Sequence, residues 1–135
     1  MITYKDIRAC LVPHYELTDD EETGLRLLVK FADSGRLQGV SITEVDRKDG
    51  TKLLQLSTPV VPLARVDPQQ CLEWNVFSTA GGLGTIEIEG EPYIVLVESL
   101  FYDGLDLSQL RYVVDSFAEV ADQLEERILD GEDLY

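Results

Sequence analysis

The chain has 135 residues, 44% of them hydrophobic, and a formal charge of -15 at pH 7. That length supports one domain over residues 1–135, with a core that buries about two-thirds of the unfolded surface and needs no disulfide or metal staple. The charge repels phosphate backbones and anionic lipid, which argues against nucleic acid or a membrane as partner and favours basic segments of other proteins.

Ile2 to Val12 mixes Lys5, Asp6 and Arg8 into its apolar positions, so it does not read as a signal peptide. No stretch approaches the roughly 18 apolar residues of a membrane span, and the expectation is a cytoplasmic protein. Thr3 followed by Asp6 has the form of a capping box, with Ile2 and Ile7 at the positions of a hydrophobic staple. The spacing predicts a short helix with Ile7, Cys10 and Leu11 inward, stopped near Val12 by Pro13. His14 follows with no serine or cysteine set beside it, the position of a surface or capping residue rather than a catalytic base. Cys10 and Cys71 lack CxxC spacing and have only His14 to join them, so they read as reduced core thiols, and no metal or cofactor is expected.

Glu16 to Thr23 contains Asp19, Asp20, Glu21 and Glu22 without the alternating ligands or central glycine of a calcium loop, and reads as a solvated acidic turn. Beyond it the period shortens to two. Leu25 to Lys30, Leu37 to Val45 and Thr51 to Thr58 form three predicted strands, separated by turns at Asp33-Ser34-Gly35 and Asp46 to Gly50. Pro59 and Pro62 are expected to end pairing, which leaves an antiparallel meander over residues 24–60. Asp67 with Pro68 and Gln70 starts a second helix that carries Cys71, Leu72, Trp74, Asn75, Val76 and Phe77. Gly81, Gly82 and Gly84 follow it as cap and turn. They lack the third glycine and the preceding strand of a nucleotide loop.

Thr85 to Glu89 predicts a strand with Ile86 and Ile88 inward and Glu87 and Glu89 sharing the other face, the ordinary alternation of a half-buried strand as well as a conceivable carboxylate pair. Tyr93 to Leu100 is apolar on both faces and suits a strand covered twice, with a second subunit as one candidate cover. Asp106 and Gln109, with Leu105 and Leu110 as staple, start a long helix over Asp106 to Ile128. Leu110, Val114, Phe117, Ala121, Leu124 and Ile128 make its core stripe. Asp115, Glu119, Asp122, Glu125, Glu126 and Asp130 crowd its other side, where like charges three or four residues apart cost roughly 0.2–0.5 kcal/mol per pair. This acidic face meets either water or something basic. Residues 129–135 read as an acidic tail that frays.

The element order is α-β-β-β-α-β-β-α, an α+β fold with an antiparallel sheet packed by helices. That order resembles the YbjN family, as do Leu56-Ser57-Thr58-Pro59-Val60, the Asp67-Pro68 helix start with Leu72 and Asn75, and the ending Ala121-Asp122-Gln123-Leu124-Glu125. The resemblance runs from about Leu25 to Ile128. It implies the fold of the type III secretion chaperones: small, acidic, usually dimeric cytoplasmic proteins that bind extended segments of secreted effectors. It also implies a role for Asn75 in a core hydrogen bond, and it brings no catalytic motif.

Two functions from different classes follow. The first is a non-enzymatic, chaperone-like homodimer that holds an extended partner segment against Leu37, Val40, Ile42, Leu54 and Leu56, positions that suit the core better than a contact surface. The second is an acidic regulator or adaptor that binds a basic partner, or mimics nucleic acid, through Asp115, Glu119, Asp122 and Glu126. An enzyme using Glu87, Glu89 or His14 has the least support.

Overall fold

A computed structural model describes residues 1–79 and 81–134. Helix α1 (Tyr4–Leu11) leads through a 3-10 turn into strands β1 (Glu16–Glu21), β2 (Gly24–Lys30), β3 (Leu37–Asp46) and β4 (Lys52–Pro62). A second 3-10 turn precedes α2 (Pro68–Phe77), β5 (Gly82–Ile88), β6 (Glu91–Phe101) and α3 (Leu107–Leu129). The strands form one antiparallel sheet in the order β1-β2-β3-β4-β6-β5. This is the α+β architecture expected from the sequence, with β1 added ahead of the meander.

One face of the sheet presents Leu25, Leu27, Val29, Val40, Ile42, Leu54, Leu56, Ile94 and Leu96 to the core. Helix α3 lies over β3 and β4 with α1 beside it. The whole predicted stripe of α3 is buried, and Ala118 joins it. Ala118 and Ala121 are both fully buried, and such small side chains let the helix come close to the strands. Thr3 and Asp6 form the capping box reciprocally, with Asp6 Oδ2 accepting from Thr3 N–H at 2.8 Å. Asp67 and Asp106 cap their helices by accepting from Gln69 N–H at 3.0 Å and Ser108 N–H at 2.9 Å, one residue nearer than the glutamines expected to complete those boxes.

Three expectations need correction. The acidic segment after α1 is a strand rather than a solvated turn: β1 pairs with β2 at the edge of the sheet, where its carboxylates reach water. Only a half-buried Leu17 marks its inner face, and Arg8 of α1 anchors Asp20, with Nε donating to Oδ1 at 3.0 Å. Pairing also does not stop at Pro59. Strand β4 continues to Pro62 against β6, with an irregularity between Pro59 and Val61. There the ladder to β3 has already ended at Ser41↔Ser57, so a missing proline N–H leaves no β3 carbonyl unmatched. Gln38 replaces the ladder: its Nε2 donates to Thr58 Oγ1 at 2.7 Å and to the Pro59 carbonyl at 3.0 Å, and Thr58 Oγ1 donates to the Gly39 carbonyl at 2.6 Å.

The third correction concerns β5. Gly82 and Gly84 belong to the strand instead of a turn, and Ile86 is 44% exposed rather than inward, because β5 is an edge strand with partial cover. Glu89 leaves the strand for the β5–β6 turn. There it adopts φ 52 beside Gly90 at φ 82, so the carboxylate face expected of Glu87 and Glu89 does not form. At the C-terminus the N–H of Glu132 donates to the Arg127 carbonyl at 2.8 Å, and Leu134 packs into the core, a contact that opposes fraying of the acidic tail.

Two outcomes test this packing. Phe117→Ala should destabilise the protein by about 3–5 kcal/mol in urea unfolding, the usual cost of removing a fully buried aromatic ring. Glu98 faces Leu56 across β4 and β6, and burial raises its carboxyl above the ordinary range. The folded state therefore holds this proton more tightly, and stability is lost as pH rises from the unfolded pKa through the folded one. Glu98→Gln should raise stability at neutral pH and leave it unchanged in acid below both pKa values.

Candidate protein-binding surface

Helices α3 and α1 cover one face of the sheet, and this decides the fate of the strand residues read as contacts. Val40, Ile42, Leu54 and Leu56 have no exposure and sit beneath the helices, so they are core residues rather than a surface for a partner. Leu37 is on the other parity of β3 and is 54% exposed. Among the five, it alone meets solvent.

The acidic side of α3 is partly occupied by the protein itself. Arg36, from the β2–β3 turn, donates to Asp122 at 2.6 Å and reaches Glu126 at 3.4 Å. The Tyr15 hydroxyl donates to Asp115 at 2.6 Å. Burial, then the Asp115 carboxylate, raises the Tyr15 pKa. Gln123 reaches Glu119 at 3.4 Å, one turn along the helix. Burial also raises the Glu125 carboxyl, with a further push from Asp122. The basic group that this face meets is thus in part the chain's own arginine.

Between α3 and the β2–β3 hairpin lies an open groove of about 570 Å3. Its lining includes the apolar side chains Leu28, Phe31, Ala32 and Leu37, the basic His14, Lys30 and Arg111, and the acidic Glu16, Asp33, Asp115 and Glu119. His14 lies in the 3-10 turn after α1. In the hairpin the N–H of Phe31 donates to the Arg36 carbonyl at 2.9 Å, so the backbone groups of Lys30 point the opposite way, past the start of β1 at Glu16. Among the described residues the pairing of β1 with β2 begins at Glu16↔Leu28, so Lys30 has no partner in β1 and the groove adjoins a short stretch of strand edge. Periodicity does not announce it, since its residues come from four separate segments.

The opposite end of the sheet carries the second exposed apolar region. Helix α2 buries Cys71 and half-buries Trp74, while Leu72, Val76 and Phe77 are 67%, 77% and 72% exposed. Asn75 attaches it to β5: Leu83 N–H donates to its Oδ1 at 2.7 Å, and its Nδ2 donates to the Leu83 carbonyl at 3.1 Å. The amide thus takes the place of a neighbouring strand and plugs the free edge at one residue. The resemblance implied a core hydrogen bond for Asn75; its bonds instead lie part-buried at the edge of the sheet. Beyond it, Thr85 to Glu87 stay exposed on the edge.

Cys71 is buried, which raises its thiol pKa, and Cys10 is half-buried with Sγ 3.5 Å from the Leu107 carbonyl. Among the described residues no helix is long and apolar enough to cross a membrane.

Comparison with protein-family models finds none that matches the chain, and comparison with curated proteins finds no match either. Among solved structures, the chain is similar to one described as the HopA1-SchA chaperone-effector complex, at 17% identity and a TM-score of 0.58 over 91% of this chain and 90% of that one. The six-stranded antiparallel sheet packed by helices is accordingly a type III secretion chaperone-like fold.

Proposed function

We propose that this chain is a non-enzymatic, chaperone-like protein that holds an extended segment of a partner protein. The observation that carries this reading is the groove beside α3, where Leu37 and Phe31 offer apolar contact and the strand edge at Lys30 offers backbone groups. Extended segments bind sheets in this way, by main-chain hydrogen bonds at an edge and alternate side chains in adjacent pockets. The structural neighbour, a chaperone-effector complex by its description, supports the same class of function. Glu119 and Asp33 in the groove suit a segment with basic residues.

The rest of the reading is that of a cytoplasmic homodimer of the YbjN kind that binds neither nucleic acid nor membranes. Leu72 and Val76, one turn apart on α2, are its proposed contact between subunits. The alternative, in which the acidic face of α3 binds a basic partner, has less to work with because Arg36 and Tyr15 already engage Asp122, Glu126 and Asp115.

Sedimentation at micromolar concentration should show a dimer, and Leu72→Glu with Val76→Glu should give a monomer of unchanged circular dichroism. A wild-type monomer removes the dimer from the reading. A partner recovered with the protein from native cells should stay bound at about 0.5 M salt, where the Debye length is roughly 4–5 Å. Leu37→Glu should weaken that partner about tenfold, or roughly 1.4 kcal/mol. Release by salt together with indifference to Leu37→Glu favours the charge-driven alternative.

A further inference from the structure

The parity that buries one sheet face sends the alternate side chains to the other. Among the described residues, the positions of that second parity on β2, on β3, on β4 up to Pro59, on β5, and on β6 from Tyr93 to Phe101 hold no aspartate or glutamate, although the chain has 26 acidic residues. Carboxylates only border this face, on β1, at Glu91, and at Asp103 just past the end of β6. At one end of it Val45 pairs with Leu53, and Leu53 with Phe101, which makes a continuous apolar row across three strands. Val45 and Leu53 are half-buried, and Phe101 is 56% exposed. Arg47 places its Cζ 5.9 Å from the centre of the Phe101 ring. The turn that carries Arg47 and Lys48 is fixed by its own hydrogen bonds: Arg47 N–H donates to the Thr51 carbonyl at 2.8 Å, and Gly50 N–H to the Arg47 carbonyl at 3.0 Å. Glu44 and Asp46 take the opposite parity, where Lys52 Nζ lies 3.6 Å and 3.9 Å from them. Arg47 and Lys48 have no ion-pair partner among the described residues.

Two cations on a fixed turn beside an exposed ring complement a carboxylate joined to an apolar group. A guanidinium resting on a ring keeps N–H donors at its edge, and these take a carboxylate by paired hydrogen bonds. A basic segment, which the rest of this acidic molecule attracts, meets like charge here. At physiological salt the Debye length is about 8 Å, so distant carboxylates are screened and the local cations govern an approaching group. We propose that the row Val45, Leu53 and Phe101, with Arg47 and Lys48, is a docking surface for an acidic segment of a partner protein. Its apolar side chain lies on Phe101, and its carboxylates engage the two cations. The surface is separate from the groove beside α3 and rests on neither that groove nor the chaperone-like reading.

The test is amide NMR of the full chain, titrated with a synthetic peptide whose Phe-Leu centre is flanked by glutamates, with a lysine-flanked peptide as control. The glutamate peptide should shift the amides of Val45, Arg47, Leu53 and Phe101. Phe101→Ser and Arg47→Glu should each weaken it about tenfold, the order expected for losing one apolar or charge-assisted contact. Leu37→Glu, in the groove, should leave it unchanged. Should Phe101→Ser unfold the protein by circular dichroism, Arg47→Glu decides alone, since that side chain is exposed. The proposal is overturned if the glutamate peptide moves none of these amides at millimolar concentration, if the lysine peptide moves them equally, or if Arg47→Glu binds as the wild type does. Shifts of the same amides with protein concentration alone assign the row to a second copy and overturn it too. So does a thymidine oligonucleotide that binds there in preference to the peptide.

Discussion

Every other feature of this protein depends on the burial of one sheet face beneath α3. The helix contributes seven buried side chains, and the strands below it answer with aliphatic residues on alternate positions. Because strand side chains alternate strictly, this choice of face also fixes which residues are left on the other side. Gly39, Ser41 and Ser57 occupy that second face, and Arg26 lies across Gly39 so closely that a Cβ there would displace it. The same constraint removes Val40, Ile42, Leu54 and Leu56 from any contact surface while leaving Leu37 available.

A central strand that crosses a proline would ordinarily break the sheet in two. Here the buried pair Gln38 and Thr58 lets β4 leave one neighbour and keep the other without stranding a backbone group. The edges are handled differently from each other. Acidic side chains on β1 discourage strand pairing with another copy of like charge, whereas β5 carries a side-chain amide at Leu83 and stays open farther along. The exposed apolar side chains of α2 lie at the open end, and those of the groove lie at the acidic end.

Much of the fold was legible because its signals are local and periodic. The stripe of α3 repeats over six positions, Thr3 and Asp6 announce α1, and Asp67-Pro68 announces α2. Strand β1 was not legible, since an edge strand with water on most sides needs little apolar alternation and shows only Leu17. The run through Pro59 was hidden because the group that compensates for it, Gln38, is 21 residues away in sequence. For the candidate surface, apolar type marked Leu37 alongside four core residues. The parity that separates Leu37 from Val40 and Ile42 is present in the sequence, but which parity faces water is decided by the distant helix. The groove and the Arg36 contact with Asp122 depend on the β2–β3 turn meeting a helix 86 residues later, which no local pattern encodes.

The position of α3 has a consequence for biosynthesis. The strands that form the meander leave the ribosome well before the helix that closes their apolar face, since chains emerge at about 5–20 residues per second from the N-terminus. During that interval Val40, Ile42, Leu54 and Leu56 lack the cover of α3. The acidic residues of β1 are already made by then. When two copies approach edge to edge, their like charge opposes strand pairing at close range, an effect that needs no native core.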